Sequence, residues 1–529
     1  MTMYEAICLA AKKNPKKPAI IYGEDFIDFQ TFVDSINHFS FVLNELGLRK
    51  DDVITIALSN IPEALIALYA ANRIGVIVAM VHPLSTDNEL DQYLEISKSK
   101  VLICTKHFWD SNTDVIKNKL KTVILIDNIE ATKNIFSKLK ISLGKPKIYY
   151  WSDLIKRNGK TFDRFIGINE ASEYPAIILY SGGTTGTSKG VLHSNNAFNF
   201  VAEQLAQVIE MENEIVLAAL PIFHGYGLCV CVHFPLYFGH TIVLLQNISR
   251  KSIAYAIKNN VTFLAGVPAM FDTMADEEAL NAESFKNVKH VFSGGDKLTL
   301  ATRKKFETFL ANHGSNAKIR EGYGLAETVA VATLSNKDIC FEQSGIGKAL
   351  PDIQIKVIDP ESKCEVKQGE IGEITISGQS VMIEYIHDKE STMRVIEQDK
   401  DGMRWVHTGD LGTINERGCL LYKGRIKRMI VSNGYNIYPN QVEQILNEYC
   451  YIEQSCVVGI PDKSKGEKIK AYIVLRESVD KTQITENNIR NYCHKKMAAF
   501  SIPDEIEFID EIPKTRLGKN DYRTLQKGF

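Results

Sequence analysis

The 529-residue chain has no excess of either charge: Lys and Arg number 62, Asp and Glu 64, for a net charge of −2 at pH 7. Such a balance supplies no basic surface for nucleic acid. A paired cysteine pattern is missing too. The ten cysteines are scattered, and Cys229 and Cys231 form a C-x-C with no second pair nearby to complete a zinc site. The thiols are therefore expected to be reduced, in cytoplasm. No secretion signal is expected, because Glu5 lies inside the first residues and the apolar patch 6–11 is too short. Long hydrophobic runs are absent. The best candidate, 226–245, has no formal charge but contains His233, Pro235, Gly239 and His240. It is expected to be a buried helix followed by a strand over 241–245, not a membrane span.

What is there is globular. Hydrophobic residues make up 45% and charged residues 24%, as in water-soluble domains. The length exceeds one ordinary core, so at least two domains are expected. Strand and helix signals alternate through the first half. Strands are expected over 53–58, 76–81, 101–104 and 121–127, with helices over 1–13, 32–46, 61–74 and 88–96 and a hairpin around Gly23-Glu24. That alternation predicts βαβ units and a mostly parallel sheet. Residues 133–147 are basic and irregular, and are expected to form an exposed excursion. Further on, 193–211 predicts a helix and 214–220, 261–265, 288–292 and 319–321 predict strands. From 342 the chain turns β-rich, with strand signals near 357–358, 369–376 and 381–382. A compact α+β unit closes it, with a helix over 440–449, strands over 455–459 and 470–475, and a helix over 486–496.

The densest motif is Tyr180-Ser181-Gly182-Gly183-Thr184-Thr185-Gly186-Thr187-Ser188-Lys189-Gly190. It follows the apolar strand signal 175–179. Glycines let backbone N–H groups approach an anion, Ser and Thr add donors, and Lys189 adds a point charge. The composition is that of a phosphate cradle. It is not the P-loop, which needs Lys directly after Gly and a hydroxyl next. The stretch resembles the nucleotide loop of the adenylate-forming superfamily: acyl-CoA synthetases, luciferases and peptide-synthetase adenylation domains. Ser188 departs from the Pro usual there.

The resemblance extends from about Leu58 to Lys519. It implies that Ser181, Gly182, Gly183, Thr184, Thr185, Gly186 and Lys189 bind ATP phosphates. The segment Leu220-Pro221-Ile222-Phe223-His224-Gly225-Tyr226-Gly227 follows a strand signal, where parallel sheets bind ligands. By resemblance Phe223, Gly225, Tyr226 and Leu228 belong to the acyl pocket, and His224 gates the reacting carboxylate. Amino-acid-activating relatives place an Asp here, and Phe223-His224 supplies no anion for an ammonium. Leu228, Val230, Val232, Phe234 and Leu236 are expected to wall a tunnel. Ser293-Gly294-Gly295-Asp296 and Glu321-Gly322-Tyr323 are expected at the purine, with Tyr323 stacking on it. Glu327 is expected to bind Mg²⁺. Ala326 stands where the family usually has Thr or Ser, so one α-phosphate hydrogen bond is either missing or supplied by water or Thr328. Asp410 in Thr408-Gly409-Asp410 and Arg425 are implied ribose contacts, Lys427 the hinge, and Arg428 a solvent-facing neighbour. Ser432, Asn433, Gly434 and Tyr435 are implied to line a CoA channel. In Pro513-Lys514-Thr515-Arg516-Leu517-Gly518-Lys519, Lys519 is implied to be the catalytic lysine.

The implied fold is α/β. A large N-terminal domain of mostly parallel α/β subdomains plus a small β-subdomain (1–426) precedes a small mobile α+β lid (427–529). The implied reaction is ATP-dependent activation of a carboxylic acid to acyl-AMP, then transfer to CoA. A medium- or long-chain fatty acid is favoured by the apolar segment, with an aryl acid next. A carrier-protein ligase, a luciferase-like oxygenase and a non-catalytic binding homologue are the rivals. Glu327, Asp410, Arg425 and Lys519 together argue against the last. The expected partners are small molecules, with no nucleic acid and no transmembrane segment. Loose membrane association and a homodimer stay open.

Overall fold

A computed structural model describes the chain except for residues 128–145, 157–172, 182–187, 277–284, 336–344, 477–478, 480–483, 515–519 and 528–529, and the side chain of Arg250. Most of the expected excursion 133–147 lies outside the described residues. So do Gly182, Gly183, Thr184, Thr185, Gly186 and Lys519.

The chain forms two compact units. The first comprises 1–340, 346–354 and 376–406; the second comprises 341–345, 355–375 and 407–529. The strands Gly372–Ser377 and Arg404–Ile414 each change unit along their length.

Two large sheets build the first unit. One has nine strands in the order Lys348–Ala349, Thr333–Leu334, Ile319–Tyr323, His290–Ser293, Phe263–Gly266, Ile215–Ala218, Thr241–Leu244, Pro18–Tyr22 and Asp25–Asp28. Its strands from Pro18–Tyr22 to Ile319–Tyr323 pair in parallel. The other has eight strands: Glu384–Tyr385, Lys189–Ser194, Pro175–Ser181, Ile77–Met80, Val53–Ala57, Val101–Thr105, Thr122–Ile126 and Lys147–Tyr150. The parallel sheet expected from the alternation is therefore present, doubled. Every residue of Val53–Ala57 is buried, as a parallel strand covered on both faces requires.

The expected helix over 193–211 begins two residues late. Lys189–Ser194 is a strand, antiparallel to Pro175–Ser181. The helix is Asn195–Val208, and the Ser194 hydroxyl accepts from the Ala197 N–H at 3.1 Å as its N-cap. The apolar periodicity alone missed that cap. The buried helix expected after 226 is found, as a π-helix over Tyr226–His233 continued by Phe234–Tyr237. Residues 381–382 are not a strand and belong to the first unit.

The second unit carries a five-stranded sheet of Tyr435–Ile437, Ile430–Ser432, Gly466–Leu475, Ile452–Asp462 and Glu505–Phe508. The helices Pro439–Asn447 and Glu486–Lys496 supply Val442, Leu446, Ile489 and Cys493 to its core. Among the described residues no helix is long and apolar enough to cross a membrane.

The first unit buries three neutral histidines. His233 is fully buried between Asn199 Oδ1, 2.9 Å from Nε2, and the Tyr69 hydroxyl, 3.1 Å from Nδ1. Burial pushes its pKa down to about 3 and those of His193 and His240 down to about 4. In the unfolded chain each would titrate near 6.5. Between these values the unfolded chain binds more protons, so stability rises with pH through that window and is lost as pH falls. Urea unfolding at pH 7 and pH 5 is expected to show a loss of about 2 kcal/mol per histidine at the lower pH. An unchanged midpoint would refute this account.

Candidate active site

The site begins where strands end. Ser181 closes its strand directly opposite Lys189, so the pairing fixes both ends of the cradle. Asn60 joins the two large sheets here. Its buried amide donates to the Ala218 and Leu220 carbonyls at 3.1 and 2.9 Å and accepts from the Ile222 N–H at 3.1 Å. That brace sets the path of 220–226. Phe223 and His224 are half-buried, and the Phe223 ring lies 4.5 Å from the His82 ring.

Gly225 is the tightest point. A Cβ built on it would overlap the Val329 carbonyl oxygen, and one on Gly324 would overlap the Ala330 carbonyl. Both glycines are needed for close backbone approach. The carbonyl they accommodate comes from a strained turn: Val329 has φ 67° and ψ −64°, a region a β-branched residue avoids. The Ala330 N–H donates to the Thr328 carbonyl at 2.8 Å across it.

Glu327 sits in the short 3₁₀ turn Ala326–Thr328. Its Oε1 accepts from the Tyr385 hydroxyl at 2.7 Å. The Tyr385 phenol is pushed up, by burial first and then by Glu327, so it stays the donor. The Lys189 Nζ lies 4.6 Å from the centre of the same ring. The Met382 N–H holds the Glu327 carbonyl at 2.8 Å. His193, neutral and buried, has Nε2 2.6 Å from the Ala326 carbonyl; its Nε2–H is the donor, since the carbonyl can only accept. Thr328 is fully buried, and its hydroxyl faces the Leu325 N–H and carbonyl at 3.2 and 3.3 Å. It is therefore not placed to replace the hydroxyl absent at Ala326.

Glu321 is 7% exposed, and burial raises its carboxyl to about 7 against the opposing pull of Arg303, 3.9 Å away. Gly322 and Tyr323 pair with Leu334 and Thr333. Gly295 has φ 78° and Asp296 is exposed. The ring that approaches Gly294 belongs to Tyr226, whose hydroxyl donates to the Phe292 carbonyl at 3.1 Å.

The expected tunnel wall needs correction. Leu228, Val230, Val232, Phe234 and Leu236 are all buried. They lie on a helix, however, where every second residue points to a different side. Their alternation cannot make one wall.

In the second unit, Asp410 stands opposite Arg425 across paired strands, with Arg425 Nε 3.0 Å from Asp410 Oδ1. Asp410 is 1% exposed. Glu373 shapes the turn before it by accepting from the Gly409 N–H at 3.1 Å. Lys427 is exposed in the turn Ile426–Arg428. Arg428 does not face solvent as expected. It pairs with Glu443 at 2.6 Å, donates to Asn440 Oδ1 at 3.1 Å and lies 4.8 Å from the Tyr522 ring centre. A carboxylate fifteen residues away is invisible to local sequence reading. Asn433 and Gly434, with φ 51° and 80°, turn the hairpin between Ile430–Ser432 and Tyr435–Ile437, as an Asn-Gly pair is suited to do. Ser432 is buried and Tyr435 exposed. Lys519 lies outside the described residues, but its flanks are tied together. Lys514 and Asn520 form an antiparallel bridge, and the Asp521 N–H donates to the Pro513 carbonyl at 2.7 Å.

Two family models match the chain: "AMP-binding enzyme" over residues 9–386 and "AMP-binding enzyme C-terminal domain" over 441–519. The chain belongs to the AMP-binding enzyme family. It is an enzyme of the AMP-forming acyl-CoA synthetase type. A long-chain-fatty-acid–CoA ligase of Yersinia pestis is 27% identical over 538 residues, covering 98% of this chain and 92% of that protein. The 4-coumarate–CoA ligase 1 of Solanum tuberosum is 28% identical, covering 90% and 84%. ATP-bound MatB from Rhodopseudomonas palustris shares the fold, with a TM-score of 0.84 at 24% identity over 100% of this chain and 99% of that one.

In this AMP-binding enzyme the residues suit a magnesium ion. Among the described residues no cluster of three or more His, Cys, Asp or Glu could cage a metal. Mg²⁺ instead favours one or two carboxylates plus substrate phosphates. Glu327 offers that: Tyr385 engages one oxygen, and the other has no hydrogen-bond partner among the described residues.

Sequence reasoning missed Asn60, His193 and Tyr385. The first two carry no motif. Tyr385 had one usable signal, the Asp388 cap that opens the helix Lys389–Val395 three residues later.

The strained turn is testable. Gly225→Ala forces its methyl group into backbone, not into a yielding side chain. It is expected to lower the unfolding midpoint and to cut ATP–pyrophosphate exchange at least about tenfold, from overpacking of about 1–3 kcal/mol. Wild-type values on both measurements would show that the turn has room.

Proposed function

We propose that the protein converts a medium- or long-chain fatty acid to its CoA thioester through an acyl-AMP intermediate. The observation that carries the adenylation step is the group Glu327, Tyr385 and Lys189, a carboxylate at the hydroxyl of one buried ring and an ammonium 4.6 Å from that ring's centre. In the first step the fatty carboxylate oxygen attacks the α-phosphorus of ATP, and the bond to pyrophosphate breaks. Ser181, Lys189 and the loop 182–187 hold phosphate oxygens, and Lys519 neutralises charge that grows in the transition state. Mg²⁺, which would be held by Glu327 together with the phosphates, supplies further charge neutralisation when bound. Tyr323, with Gly295 and Asp296, receives the purine, while Glu321 and Gly322 shape that strand end. Asp410 and Arg425 take the ribose.

In the second step residues 427–529, acting as a lid, turn about Lys427. The thiol of CoA enters along 432–435, its sulfur attacks the acyl carbon, and AMP leaves with its oxygen. Arg428, the residue after Lys427, is tied to the lid's own core, which supports a pivot no later than Lys427.

For the acid, the support is the Phe223–His82 ring pair, the half-buried His224 and the absence of any acidic residue in 215–236. A substrate ammonium would meet no partner there. The long-chain-fatty-acid ligases at 26–28% identity point the same way. An aryl acid is the second reading, favoured by the 4-coumarate ligase of Solanum tuberosum. We place the enzyme in cytoplasm, in lipid metabolism.

Three outcomes test this. Pyrophosphate release over a panel of acids, with and without CoA, is expected to rise with alkyl length and then break, with thioester formed only when CoA is present. A peak at acetate or at an aromatic acid would overturn the fatty-acid assignment, and acyl transfer only to a carrier protein would overturn CoA. Lys519→Ala is expected to lower pyrophosphate release by about 10²–10³ while the protein stays folded. Lys427→Pro, by fixing φ near about −65°, is expected to leave adenylation intact and stop thioester formation; equal loss of both would make Lys427 a structural residue.

A further inference from the structure

Residues 382–392 cross the site without contributing to any motif used above. They are nonetheless fixed at both ends. The Ile386 N–H donates to the Gly190 carbonyl at 2.8 Å, the Ile383 N–H to Leu192 at 2.7 Å and the Met382 N–H to Glu327 at 2.8 Å. Tyr385 stands opposite Val191 in the strand that starts with Lys189. Its own N–H donates to the Thr392 hydroxyl at 2.9 Å, and that hydroxyl donates to the Asp388 carbonyl at 2.8 Å. Asp388 in turn caps the helix Lys389–Val395, accepting from the Ser391 N–H at 2.9 Å. The Tyr385 side chain is 4% exposed. Its backbone is thus set by a capped helix, and its ring by burial.

We propose that Tyr385 is a positioning residue that holds Glu327 for the metal and Lys189 for the nucleotide phosphates. The proposal rests on the reading of Glu327 and Lys189 given above. The chemistry is divided between two parts of one side chain. The hydroxyl donates to Glu327 Oε1 at 2.7 Å and so fixes the carboxylate with its other oxygen left for a cation. The ring face attracts the Lys189 ammonium, 4.6 Å from its centre. One side chain thus holds both groups, the carboxylate at its hydroxyl and the ammonium over its ring face.

The two parts can be separated. Tyr385→Phe removes the hydroxyl and keeps the ring; Tyr385→Leu removes both. The measurement is calorimetric binding of a non-hydrolysable ATP analogue to the full-length protein, with and without Mg²⁺. Tyr385→Phe is expected to weaken binding about tenfold with Mg²⁺ and by less than about twofold without it. Tyr385→Leu is expected to weaken binding in both conditions. In a Glu327→Gln background, Tyr385→Phe is expected to have no further effect, because the partner of the hydroxyl is already changed. Unaltered binding by Tyr385→Phe with Mg²⁺, or an equal loss with and without it, would overturn the proposal. So would an undiminished effect in the Glu327→Gln background. Wild-type protein that fails to bind the analogue at all would instead overturn the functional reading, and the proposal with it.

Discussion

Val329 is held in a conformation that a β-branched residue avoids, and the site is arranged around whatever holds it there. Such a backbone costs about 1–3 kcal/mol and persists only where its surroundings leave no alternative. Here the surroundings are specific. Gly225 and Gly324 make room for two carbonyls. His193 and the Met382 N–H hold the carbonyls of Ala326 and Glu327. The strand Ile319–Tyr323 enters the turn and the strand Thr333–Leu334 leaves it, paired with each other. Glu327 therefore projects from a turn in which the carbonyls of Leu325, Ala326, Glu327 and Thr328 all accept hydrogen bonds.

The same economy explains the strap 382–392. It brings no motif of its own, yet it ties the strand that starts with Lys189 to the turn that carries Glu327. Asn60 does comparable work between the ends of the two large sheets. In each case one buried polar side chain with satisfied hydrogen bonds joins segments far apart in sequence, and leaving such a group unpaired would be costly.

Much of this was legible in the sequence. The strand–helix alternation gave the parallel sheets because apolar runs and turn residues are local signals. The strand ends that carry Ser181 and Tyr323 were legible as well, because strand signals stop at glycine-rich segments. What was not legible depended on partners distant in the chain. The strand Lys189–Ser194 is defined by pairing with Pro175–Ser181, and its apolar residues were equally compatible with the helix that follows. Arg428 was expected in solvent because its partners, Asn440, Glu443 and Tyr522, lie up to the far end of the chain. The alternation of Leu228 to Leu236 reads as a wall although the segment is expected to be helical, and a helical twist scatters it. Tyr385 was missed because its meaning lies in Glu327 and Lys189, neither of which is its neighbour.

The burial of Arg428 reaches beyond the pivot. The last helix, Tyr522–Lys527, is held by the Arg428–Tyr522 contact, by the Tyr472 hydroxyl on the Leu525 carbonyl at 3.0 Å and by the Gln526 amide on Gly459 at 3.1 Å. Asn520 is anchored as well, accepting from Gln454 at 2.9 Å. The backbone between 514 and 520 is consequently not what keeps the C-terminal peptide in place. Were the chain cut between 514 and 520, these contacts would still hold the peptide carrying Tyr522 against its own unit. Covalent continuity through Lys519 and integrity of the domain that bears it are separable properties.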